Sequence, residues 1–127
     1  MLKETITCTD YNGVEYTEDH YFNLTKAELM EMEISWDGGL SEHIKRIVEA
    51  NNNREIYNLF KEIILKAYGV KSADGKRFMK KDPVDGHLLA NDFEQTEAFS
   101  ELVIKLASDE KAASAFINGI IPQNLNK

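Results

Sequence analysis

Two hydrophobic periods divide the chain. Over residues 2–22 apolar and polar positions alternate, and "LKETITC" and "VEYTEDHYF" are rich in Thr, Ile, Val, Tyr and Phe. Between them lies "TDYNG", whose Asn12-Gly13 pair tolerates the positive φ that a hairpin turn requires. Alternation sets Ile6 and Cys8 on one face of the first strand. It sets Val14, Tyr16 and Phe22 on one face of the second, opposite Glu15, Thr17 and Asp19. Beyond residue 25 the apolar positions recur every three or four residues. This predicts helices over 26–34, 40–50, 54–68, 96–108 and 110–118, with a short helix over 87–93. The expected fold class is α+β: an N-terminal β-hairpin followed by about five short-to-medium helices, predominantly helical. One domain is expected over 1–127, with the hairpin at 2–22 and a helical part at 25–118. A small loop or second hairpin falls at 70–81, around Asp74-Gly75, and a tail at 119–127.

The period changes at "YFNLTKAELMEME", residues 21–33. Thr25 followed three residues later by Glu28 is a capping box, in which each side chain satisfies the other residue's free backbone N–H. Leu24 before the cap and Leu29 at the fourth helical position form a hydrophobic staple, which fixes the angle of entry into the helix. These four residues therefore have a structural role. In the helix they start, Ala27, Met30 and Ile34 share one face, and Leu29, Met32 and Trp36 an adjacent one.

Some apolar positions exceed what a half-buried helix needs. In the helix at 54–68, Ile56, Phe60, Ile63, Ile64 and Ala67 form the main stripe, which Tyr57, Leu59, Leu65 and Tyr68 widen, and Gly69 is read as its C-cap. Met30, Met32 and Ile34, together with Tyr57, Leu65 and Tyr68, are candidate partner-binding residues; core filling is the alternative at each. Lys76 and Arg77 belong to the one basic cluster, with Lys71, Lys80 and Lys81. That cluster is either a solvated hairpin or a docking patch for an acidic partner. Ile120, Ile121 and Leu125 of the tail either pack back on the domain or offer a short binding segment.

Composition narrows the function classes. The 127 residues carry 15 basic and 22 acidic side chains, a formal charge of −7, which disfavours nucleic acid as a partner. No apolar run approaches the roughly 20 residues of a membrane span, and "MLKETITCTD" lacks the apolar core of a signal peptide. The single Cys8 cannot form an internal disulfide, which fits a reducing compartment. His20, His43 and His87 share no spacing, and no H-E-x-x-H, C-x-x-C, G-x-S-x-G or phosphate-loop frame occurs. Registering a calcium loop on Gly13, Gly38, Gly75 or Gly86 puts an apolar or basic residue at an obligatory oxygen position each time. No catalytic residue, metal site or cofactor is expected.

The turn "TDYNG", the junction "YFNLTKAELMEME", the block "LFKEIILKAYGVKSADGKRF" and the end "AFSELVIKLASDEKAASAFINGIIP" together resemble the tail assembly chaperones of long-tailed bacteriophages. The resemblance runs over most of the chain in order and is weakest over 80–93. It implies a non-enzymatic protein of the infected host cytoplasm, absent from the finished virion. It implies a chaperone that binds the helical tape-measure protein, keeps it soluble and promotes tail-tube polymerisation around it. The major tail-tube protein is then a further candidate partner, and self-association is compatible with the role. Neither nucleic acid nor membrane is an expected partner. An end at Lys127 fits the shorter of the two forms that frameshifting yields in many such phages. Two alternatives remain open at this stage: a small tail or connector structural protein, and an acidic inhibitor of a host factor.

Overall fold

A computed structural model describes residues 1–122. Strands β1 (Leu2–Thr9) and β2 (Glu15–Phe22) pair antiparallel along their whole length, from Leu2↔Phe22 to Thr9↔Glu15. The Asp10 carboxylate closes the turn by accepting the Asn12 and Val14 N–H groups at 2.9 Å, while Gly13 takes φ 82°. Even-numbered positions face the helices, so Ile6, Cys8, His20 and Phe22 are buried, whereas Val14 falls in the turn and is exposed. On the outer face Thr5 donates to Asp19 and Thr7 pairs with Thr17. Six helices follow: α1 (Lys26–Ser35), α2 (Gly39–Glu49), α3 (Asn53–Ala67), α4 (Leu89–Glu94), α5 (Glu97–Ser108) and α6 (Glu110–Ile120).

The sequence expectation of a hairpin followed by about five helices is corrected here. Among the described residues the sheet has four strands in the order β1-β2-β3-β4, through β3 (Tyr68–Lys71) and β4 (Phe78–Met79), and there are six helices. With 53% helix and 20% strand the protein is α+β, and its helical predominance holds in part. The extra strands arise because α3 stops at Ala67 and the chain turns straight into the sheet, pairing Tyr21 with Gly69 and Phe22 with Tyr68. Gly69 is not a positive-φ cap. A Cβ there would lie 2.6 Å from the Phe78 ring and 2.8 Å from the Met79 carbonyl oxygen, so glycine permits β3 and β4 to close.

Phe22 is the centre of the core. Its ring meets Tyr68, Phe93 and Phe116 edge-on at 5.3–5.8 Å, and Phe93 in turn stacks flat on Tyr68 at 4.4 Å. Such pairs add to burial through the ring quadrupoles. Immediately after Phe22 the chain becomes a node of polar contacts. The Asn23 N–H donates to the Ala67 carbonyl and the Leu24 N–H to the Ile120 carbonyl, so two helix C-termini are satisfied by adjacent residues. Thr25 and Glu28 form the capping box, at 2.9 and 3.1 Å, and Leu24 and Leu29 are both buried in the same core cluster.

Lys80 completes the node from the far hairpin. Its Nζ donates to the carbonyls of Asn23 and Lys66 and pairs with Glu28 at 3.3 Å. Burial pulls its pKa below the usual lysine value, while the Glu28 carboxylate pushes the other way. Lys80 thus leaves the basic cluster and becomes an internal clip. In urea denaturation, Thr25→Ala is expected to cost about 1 kcal/mol. Lys80→Met, which strands two carbonyls and a carboxylate, is expected to cost about 2 kcal/mol. An unchanged midpoint for Lys80→Met would show that the clip does not stabilise the fold.

Candidate protein-interaction surface

Helix α2 is held at its N-terminal end. Trp36 stacks on His43 with ring centroids 4.1 Å apart, Arg46 donates to the Asp37 carbonyl, and Leu40 is buried. The rest of its apolar face is covered less well: Ile44, Ile47 and Val48 are only half-buried. The helix packs on α1 and α3 and stands off from α5 and α6. The space left between them is an open groove of about 660 Å³. Ile44, Val48, Ile56, Phe60, Leu106 and Ile117 supply its apolar surface. Serine and asparagine side chains line its banks, with Ser41, Lys45 and Asn51 on the α2 side and Glu110, Ser114 and Asn118 on the α6 side. Caps fix the helices that frame it. Asn52 accepts the Arg54 and Glu55 N–H groups at the start of α3, and Asp109 accepts those of Lys111 and Ala112 at the start of α6.

The residues singled out from the sequence do not converge on one place. Met32 is 3% exposed and belongs to the core, whereas Met30 and Ile34 are 64% and 79% exposed on the outer face of α1, in line with the exposed Ala27. Tyr57 is exposed; Leu65 and Tyr68 are half-buried and pack against the core, where Tyr68 is part of the aromatic cluster. Lys76 and Arg77 are exposed on the β3–β4 turn, whose backbone is held by Ser72 and Asp74. Ile120 is fully buried as the last residue of α6, and Ile121 is half-buried against the core. Leu125 lies outside the described residues. The groove was missed because its surface comes from four helices. The signal available for it was the strong amphipathic spacing of Leu40, Ile44, Ile47 and Val48 opposite the alanine- and serine-rich start of α6.

Two of the histidines, His20 and His87, sit in defined local environments. His20 is buried against Phe93, and its Nε2 has no hydrogen-bond partner. Desolvation lowers its pKa, against the opposing pull of Glu18 and Asp19. His87 is held between two carboxylates, with Nδ1 2.5 Å from Asp85 and Nε2 2.7 Å from Asp92. These hydrogen bonds raise its pKa to about 9. Asp82, Asp85 and His87 are close enough together to hold a cation. Their contacts are those of a turn, however: Asp82 accepts the Val84 and Asp85 N–H groups, and the His87 ring bridges the turn to α4.

This arrangement defines an α+β fold with an open, helix-walled groove, apolar along its floor and polar along its banks. The chain belongs to the phage tail assembly chaperone family, whose family model matches residues 1–127. Membership of this family implies protein partners in tail assembly. No curated protein and no solved structure matches the chain. No helix among the described residues is long and apolar enough to cross a membrane.

The two histidines act on stability in opposite directions. The native state holds the His87 proton up to about pH 9, so that ion pair contributes fully below the unfolded pKa of about 6.5 and is lost as pH rises through 9. Neutral, buried His20 makes the native state lose stability as pH falls below about 6.5. Denaturant midpoints measured from pH 5 to 10 should therefore decline towards both ends. His87→Gln should flatten only the alkaline limb between 6.5 and 9, and an unchanged limb would remove the Asp85–His87–Asp92 bridge as its cause.

Proposed function

We propose that the protein binds the tape-measure protein of its phage, keeps it soluble and promotes tail-tube polymerisation around it. The observation that carries this reading is the half-covered apolar face of α2, which leaves a helix-walled groove open in a member of a tail assembly chaperone family. A long helical client exposes apolar stripes before it is packed, and a groove of this kind covers such a stripe by helix-in-groove contact. The net charge of −7 adds colloidal repulsion, which keeps a chaperone–client complex dispersed. This activity needs no catalytic group or cofactor. Its place is the cytoplasm of the infected host, where tails are assembled. The exposed Ala27–Met30–Ile34 stripe and the Lys76–Arg77 turn are secondary contact candidates for the client or the tail-tube protein.

Co-expression with the phage's tape-measure protein tests this directly. The soluble fraction of that protein should rise several-fold, and the two should co-purify. Absence of both effects would sink the reading. Detection of the chain in purified virions at stoichiometric amounts would replace it with a structural role in the tail.

A further inference from the structure

We infer that the groove between α2 and α6 is the client-binding site, and that its occupant is a two-turn amphipathic helical segment with one acidic and one basic flank. The inference rests on the chaperone reading only for the identity of the client. Groove length sets the helix length. The lining stretches run from Ser41 to Val48 on α2 and from Glu110 to Asn118 on α6, about 10–12 Å at 1.5 Å per residue, or just over two turns. An apolar floor takes residues spaced i, i+3, i+4 and i+7 from one helical face. Ser41 and Ser114, small and exposed on opposite walls, allow the incoming backbone to approach.

Charge decides the flanks. Lys45 stands on the α2 wall and Glu110 on the α6 wall, and the other lining residues are uncharged. At physiological salt the charges of the remote surface are screened within about 8 Å, so this pair outweighs the net −7 in choosing between helices that reach the groove. An acid over Lys45 and a base over Glu110 also fix which way the helix runs. A second copy of the chain fits less well. Its exposed apolar stripe on α1 is bordered by Glu31 and Glu33, which would set carboxylates against Glu110.

Three synthetic, helix-stapled peptides with the same apolar stripe test the assignment by fluorescence anisotropy: mixed Glu/Lys flanks, all-Glu flanks and all-Lys flanks. The mixed peptide should bind the wild-type protein tightest, by about tenfold. In Glu110→Lys the all-Glu peptide should become the tightest, and in Lys45→Glu the all-Lys peptide. Ser114→Trp, which fills the groove from an exposed position, should abolish binding of all three with an unchanged thermal midpoint. The assignment is overturned if no peptide binds, if the rank order is the same in all variants, or if Ser114→Trp binds normally. It is likewise overturned if Ser114→Trp instead converts an oligomer to monomer in sedimentation, which would make the groove a self-interface. Solubilisation of the tape-measure protein by Ser114→Trp as well as by wild type would overturn the groove while leaving the chaperone reading intact. Peptide binding with the predicted rank order, without any effect on that protein, would support the groove and remove the reading.

Discussion

Two helices end where a strand ends, and their last carbonyls must find donors away from water. The adjacent N–H groups of Asn23 and Leu24 meet this demand, reaching the Ala67 and Ile120 carbonyls respectively. An unmade buried hydrogen bond costs about 1–3 kcal/mol, so the positions of α3 and α6 relative to the sheet are set at this point. The same two residues sit between Phe22, the hub of the aromatic core, and Thr25, which starts α1. Lys80 then closes the node with a charge that bridges the junction, the end of α3 and the capping glutamate. The sheet, the helical layer and the second hairpin therefore share one anchoring locus.

How much of this could be read from the chain depends on the range of each interaction. The capping box of Thr25 and Glu28 acts over three residues and was legible, as was the turn at Asn12-Gly13. The strand at Tyr68–Lys71 was not, because its partner is Phe22, far away in sequence, and because the helical stripe of α3 continues in pattern through Tyr68. Gly69 reads as a helix stop in either case; only the Phe78 ring against it reveals its real task. Lys80 looked like one more surface lysine beside Lys76, Arg77 and Lys81, since nothing local marks three acceptors that come from residues 23, 28 and 66. The groove was hidden for the same reason, being assembled from four separate helices.

The protein divides its apolar surface unequally. Around Phe22 the packing is dense and the large side chains are fully buried. Around α2 it is incomplete: Leu40 is buried, Ile44 and Ile47 rest half-buried on the core, and Trp36, His43 and Arg46 brace the helix against the end of α1. The core thus leaves α2 partly uncovered, with Ile44, Ile47 and Val48 half-buried. Elements that meet partners are commonly drawn from the less stable end of a structure.

The bond from the Leu24 N–H to the Ile120 carbonyl, and the seat of Leu2 against Gly119, join the N-terminal hairpin and its exit to α6. Contacts of such long sequence separation form late, after the cost of closing the intervening loop has been met. On the ribosome the hairpin is made first, yet its inner face is covered only once α4, α5 and α6 have followed. Until those helices dock, the nascent chain carries the apolar inner face of its hairpin, with Ile6, Cys8 and Phe22, without the cover it has in the folded protein. A member of a chaperone family thus has an aggregation hazard of its own, in the interval before its helices dock.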